Sequence, residues 1–333
     1  MIKINHDNKE ELAKEFAERI MTSVQNSNHY KEWSKKQEVR RHINQLNERV
    51  EAIYKSPQAS YEEAIKALKD LLPNHQVNKK YRIKIGGKHK KITISDVYFN
   101  YEIINNNVPN DHSLEGRMSH AIWLTEKLGV TVCPYCNRDY IFTRDIKGGS
   151  GRCHLDHHIP QTKEPFLALS FYNLIPSCGV CNVLKKKEKF SMDPHEEGLT
   201  ERGYHFFFKN IIGNILSNAD IRIDEAKEGL LLEFNGSISM DPDLTQQIER
   251  LDILPMYAQH TAEAKELIFK ARAYQEDYYE SLIESFGGMG LDEGGMHRMI
   301  FGDYPDPEDF GKRPLAKFTY DLLQQLGVKQ PKQ

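Results

Sequence analysis

Apolar side chains open the chain at helical spacing. Between residues 8 and 25, Leu12, Phe16, Ile20 and Met21 form one stripe in an otherwise charged segment, which predicts an amphipathic helix. Residues 29–55 continue the pattern with Trp33, Val39, Ile43, Leu46, Val50 and Ile53. A third helix is predicted from about Ser60 to Leu72, opening on Ser60 and Glu63 at capping-box spacing and ending at Pro73. Such stripes imply ordinary helix-on-helix packing.

At Asn78 the period changes from about 3.6 to two. The run NKKYRIKIGGKHKKITIS alternates around Gly86-Gly87 and reads as a β-hairpin. It carries Lys84, Lys88 and Lys90 among its cations and no acid between residues 78 and 95. Two readings fit: a ribbon laid along a phosphate backbone, or a solvated edge that lysines protect from aggregation. A helix from Ser113 to Leu128 follows. Beyond Asp193 come the β-like runs YHFFFK, DIRIDE and LLLEFNGSIS, then helices over 241–286 carrying Ile248, Leu251, Leu254, Tyr257, Leu267, Ile268, Tyr274 and Tyr278. The glycine-rich stretch 286–295 reads as a flexible break before a last helix. The pattern divides the chain into a helical region (1–77), a basic hairpin and helix (78–130), a central unit (131–195) and an acidic β-plus-helical region (196–333). The fold class is α+β and mostly helical.

Composition narrows the class. Over 333 residues, 39% hydrophobic and 28% charged side chains describe a folded rather than disordered protein. No apolar run approaches the ~20 residues of a membrane span, and the first residues lack the apolar core of a signal peptide. A cytoplasmic protein is the expectation, in which clustered cysteines hold metal more often than disulfides. The net charge of -3 hides a split. Residues 1–200 carry 31 Lys+Arg against 25 Asp+Glu, and residues 201–333 carry 14 against 23. A basic front suits a polyanion, although uneven surface decoration gives the same split.

The chemistry lies between Cys133 and Lys189. Cys133/Cys136 and Cys178/Cys181 form the spacing C-x2-C-x41-C-x2-C, and two such pairs supply the four thiolates of a closed, structural zinc site. The insert must then fold as a unit that brings its ends together. Cys153 stays outside the set as a small core or surface residue. On the cysteines alone, a purely structural module is a full alternative.

The insert adds Asp156-His157-His158-Ile159-Pro160, then Asn173-Leu174, and the second pair continues as Cys181-Asn182-Val183-Leu184-Lys185. This order resembles the HNH endonucleases, the ββα-metal or His-Me finger nucleases, in their zinc-stapled branch. The resemblance covers about 57 of the 333 residues. It implies His157 as the general base, a role that suits a neutral imidazole near pH 7. It implies Asp156 and Asn182 as ligands of a catalytic Mg2+ or Mn2+, and Asn173 as the residue that fixes the loop and orients the base. His158 offers an alternative register for the base, and His154 shares a strand face with Asp156. Lys185, Lys186, Lys187 and Lys189 are placed to meet phosphates, or to form a solvated helix face.

The expectation is therefore an HNH endonuclease acting on DNA. RNA as the substrate and a non-catalytic zinc module that binds nucleic acid or a partner are the alternatives. One such site cuts one strand, so a double-strand break calls for a homodimer, sequential nicks or a partner. The layout is similar to bacterial HNH proteins of antiphage defence, in which a separate ATPase would be the natural partner, since no phosphate-binding loop occurs in this chain.

Overall fold

In the computed structural model the first stripe forms helix α1 (Lys9–Asn26), with Phe16, Ile20 and Val24 turned fully inward. Residues 29–55 are three helices rather than one: α2 (Asn28–Trp33), α3 (Gln37–Arg40) and α4 (Ile43–Lys55). Trp33 accounts for the first break. Its buried ring stands edge-on to both Tyr81 and Tyr98, so the chain must turn where that anchor is set. The description covers residues 1–72, 78–146, 149–151, 153–208, 230–234, 241–274, 281–282, 284–286, 290 and 292–328.

Helix α5 (Tyr61–Leu71) starts where expected, but the predicted capping box does not form. Ser60 closes a 3-10 turn (Gln58–Ser60) at φ −106° and ψ 0°, outside the extended conformation that a capping side chain needs. A capping box forms instead at Thr93 and Asp96, opening α6 (Ile94–Tyr98). The basic hairpin is present as β1 (Tyr81–Ile85) and β2 (Lys88–Ile92), with Tyr81 paired to Ile92 and Ile85 to Lys88. Gly86 and Gly87 take φ of +55° and +81°, the two positive angles that a tight two-residue turn demands. The helix expected at 113–128 is two, α7 (Leu114–Arg117) and α8 (His120–Leu128). Ser119 is extended between them and caps α8 through Ile122 N–H, which ends any continuous helix there.

Four two-stranded antiparallel sheets occur among the described residues. After the hairpin come β3 (Arg144–Ile146) with β4 (Gly149–Gly151), then β5 (His154–His157) with β6 (Leu174–Ser177), which leads into α9 (Gly179–Lys185). Next are β7 (Tyr204–Phe208) and β8 (Leu230–Phe234), paired, and helices α10 (Pro242–Arg250), α11 (Ile253–Tyr257), α12 (Thr261–Ala273), α13 (Glu293–Phe301) and α14 (Ala316–Gln325). The DIRIDE run, residues 235–239 and Tyr278 lie outside the described residues. Part of the expected flexible break is helical: Asp292 caps α13 through Gly295 N–H at 2.6 Å, and Gly294 and Gly295 lie in its first turn. One buried apolar cluster runs from Met1 to Leu323 through all four segments. The molecule is thus a mixed α/β protein in which small sheets are set among helices. No helix among the described residues is long and apolar enough to cross a membrane.

Candidate metal centre and adjoining polar site

Cys133 and Cys136 sit on a tight knuckle. Its sides are tied by Cys133 N–H to Asp139 O (3.0 Å) and Ile141 N–H to Thr131 O (2.9 Å), with Val132 bridged to Tyr140. Asn137 turns the knuckle at φ +52°, a conformation that asparagine tolerates better than most residues. Cys178 and Cys181 bracket the first turn of α9, where Cys178 caps the helix through Cys181 N–H. The four sulfurs are buried and lie within 4.8 Å of one another, with Cys136 Sγ 4.0 Å from Cys178 Sγ. Tetrahedral zinc with Zn–S of about 2.3 Å places its sulfurs about 3.8 Å apart, so the cluster fits a structural zinc. The crowding perturbs the thiols: the neighbouring sulfurs pull the Cys136 pKa down, while that of Cys133, chiefly by burial, and that of Cys181, chiefly by its contact with Cys133, are pushed up. Four thiolates this close can be charged together only around a cation.

The knuckle is gripped by the C-terminal region. Asn137 Nδ2 donates to Phe310 O (2.9 Å), Asn137 Oδ1 accepts Lys317 N–H (3.1 Å), and Asn137 O accepts Leu315 N–H (2.6 Å). Tyr257 Oη donates to Cys136 O at 2.6 Å. The sequence reading missed Asn137. Its signal is that both pairs read C-x-x-C-N, with Asn137 and Asn182 in equivalent places.

The β5–β6 hairpin presents the polar residues. His157 ends β5 opposite Leu174, half-buried, with Tyr101 edge-on at 4.6 Å. Its Nε2 lies 3.0 Å from Ala168 O. A carbonyl oxygen only accepts, so Nε2 carries the proton and Nδ1 keeps its lone pair. Burial pushes the imidazole pKa down and favours this neutral form. Asn173 is fully buried and spans the loop: Oδ1 accepts Ile159 N–H (2.7 Å), and Nδ2 donates to Ile159 O (3.1 Å) and Leu167 O (3.0 Å). Those bonds hold the two ends of the segment that carries Ala168.

Asp156 is buried beside His157, and its Oδ2 accepts Tyr135 Oη–H (2.7 Å) and pairs with Lys185 Nζ (3.0 Å). Burial raises the Asp156 pKa and lowers that of Lys185, each shift being opposed by the partner's charge. Lys185 also donates to His157 O at 2.7 Å and has no exposed surface. Expected at the phosphates or on a solvated helix face, it instead lies inside the protein, where it supplies the cation that buried Asp156 needs. Asn182 stands one helical turn before Lys185, on the side of α9 that Lys185 presents to Asp156. It is half-buried, and its side chain makes none of the hydrogen bonds among the described residues.

The remaining candidates separate. His158 is fully buried, burial lowers its pKa to about 3, and neither ring nitrogen has a partner among the described residues, so it belongs to the interior. His154 is exposed at the opposite end of β5 from His157. Cys153 is buried, with Thr143 Oγ1 against its sulfur. Lys186, Lys187 and Lys189 are exposed just past α9, and Lys84, Lys88 and Lys90 are exposed on a ribbon anchored through Tyr81 to Trp33 of α2. Compared with family models, curated proteins and solved structures, the chain matches none.

Proposed function

We propose that this protein is a metal-dependent endonuclease with an HNH core, hydrolysing phosphodiester bonds in DNA. The observation that carries the reading is the setting of His157: a neutral ring tied at Nε2 to Ala168 O, with a bare Nδ1, beside a buried carboxylate. A base of that kind takes a proton from water as the water attacks phosphorus. Asn173 supports it by bracing the loop that supplies Ala168 O. The hairpin and helix β5–β6–α9 follow the strand–strand–helix order that the resemblance implies.

The donor set suits a hard cation. Asp156 keeps Oδ1 outside its hydrogen bonds and Asn182 keeps its carboxamide, so these two would hold Mg2+ or Mn2+. Bound there, the ion supplies positive charge for the phosphate oxygens. Lys185 fixes the carboxylate and adds charge from the protein side, and exposed Lys186, Lys187 and Lys189 meet the flanking phosphates.

The purified protein with Mg2+ or Mn2+ is expected to nick supercoiled plasmid, and His157→Ala to lose at least 100-fold in rate, in the range of general-base removal. Equal nicking by the two forms would end the assignment. Parallel digestion of single-stranded DNA and RNA settles the substrate. One observation favours a second reading, a structural zinc module: the Asp156–Lys185–Tyr135 cluster is satisfied without any cation. That reading expects no nicking by either form.

A further inference from the structure

On the knuckle, residues 140–142 are extended and alternate. Ile141 faces the core, while Tyr140 and Phe142 face out, 51% and 64% exposed. The two rings stack on each other with centroids 4.7 Å apart and planes 16° from parallel, so the pair presents its outer faces and edges as one aromatic surface. This surface walls a groove of about 480 Å³ whose other side is His154, Ser177 and Gly179, with Asp139 as its acid. Directly after Gly179, Val180 and Val183 are exposed along α9. These four account for most of the large apolar side chains exposed among the described residues, and they gather on the two elements that carry the cysteines. Removing such surface from water is favourable, so its concentration in one place calls for an occupant.

We propose that Tyr140 and Phe142 form a stacking platform for unpaired nucleotides of the DNA strand being cut. The proposal rests on the nuclease reading and adds a substrate class to it: DNA that is single-stranded or locally opened. Bases within a duplex already stack on each other and offer the platform no face, whereas an unpaired base offers its whole ring. Position supports the assignment. The groove lies at the His154 end of β5 and the base lies at the His157 end, a separation of about 10 Å at ~3.3 Å per residue. That distance spans about three nucleotides at a rise of ~3.4 Å. Charge supports it too, since α9 starts at the groove and ends at exposed Lys186, Lys187 and Lys189. A strand crossing α9 therefore meets apolar surface for its bases first and cations for its phosphates next. An apolar protein partner would have no use for the second feature.

The test uses the full chain carrying His157→Ala, so that binding is read without cutting. A single-stranded oligonucleotide containing 2-aminopurine should show fluorescence quenching on binding. Tyr140→Ala with Phe142→Ala should abolish the quenching and weaken binding roughly five- to hundredfold, as loss of one or more stacked bases does. Duplex binding and the melting temperature should stay unchanged, and Tyr140→Phe should restore the quenching. Unaltered quenching in the double variant would overturn the platform, as would an equal loss for duplex. A dimer that becomes monomeric in the double variant with oligonucleotide binding intact would assign the face to a second copy and sink the proposal. An RNA of the same sequence binding as tightly would overturn the choice of DNA. The two readings fail separately: quenching without plasmid nicking removes the nuclease and keeps the platform, and nicking without quenching does the reverse.

Discussion

Asp156 and Lys185 are each unaffordable alone in the interior, and that fact governs the polar site. Burial raises the carboxyl pKa and lowers the ammonium's, yet each is held charged by the other, by Tyr135 Oη and by His157 O. Breaking a buried pair from one side leaves an uncompensated charge, which costs about 3–5 kcal/mol, whereas removing both partners costs far less. Lys185→Met is therefore expected to lower unfolding stability by about that amount. Adding Asp156→Asn to it should recover more than half of the loss, read from urea denaturation midpoints at constant slope. A double variant as unstable as the single one would mean that Lys185 acts through its cation–π contact with Phe190, 5.3 Å from its ammonium, rather than through its pair with Asp156. The same residue marks a limit of sequence reading. In a run with Lys186, Lys187 and Lys189 nothing distinguishes Lys185 from its neighbours. Only the fold shows that the last turn of α9 points Lys185 inward while the others, past the helix end, face out.

At the scale of elements, the knuckle, the β5–β6 hairpin and α9 form one unit, and the C-terminal region clamps it. Asn137 joins three backbone groups of residues 310–317 to the turn between the first two cysteines. Each buried partner left without its hydrogen bond costs about 1–3 kcal/mol. Asn137→Ala is expected to destabilise the protein by roughly 2–4 kcal/mol and to speed zinc release to a chelator, followed by metal content per chain. Zinc retention equal to that of the unaltered protein would show that the knuckle holds itself. What the sequence made legible at this scale was local: the cysteine pairs, the hairpin turn at Gly86-Gly87 and the loop-bracing position of Asn173. What it concealed was long-range. Trp33 interrupts a helix because Tyr81 and Tyr98 meet it from far along the chain, and the clamp on Asn137 comes from more than 170 residues away. Periodicity carries no information about such contacts, so it merged helices that tertiary packing separates.

The whole molecule carries a pH dependence that follows from which rings it buries. His120, His158 and His195 are pushed by burial to about 3, and His297 to about 4. Unfolded histidine titrates near 6.5. Below that value the unfolded chain binds protons that the folded chain refuses, so stability is fully present above pH ~6.5 and is lost as the pH falls toward the folded values. Asp193 and Asp303 act in the opposite sense. Burial raises both to about 7, so the folded chain binds protons that the unfolded one has released, which favours folding as the pH falls from 7 toward 4. Four histidines outweigh two aspartates with shifts of similar size, so the net slope is a loss in acid. The melting temperature is therefore expected to fall continuously from pH 6.5 to 4.5. His158→Leu should flatten the slope, because it removes a ring that has no partner at either nitrogen among the described residues. A melting temperature that holds or rises over that interval would mean that these rings accept protons in the folded protein, and hence that water reaches the interior behind β5.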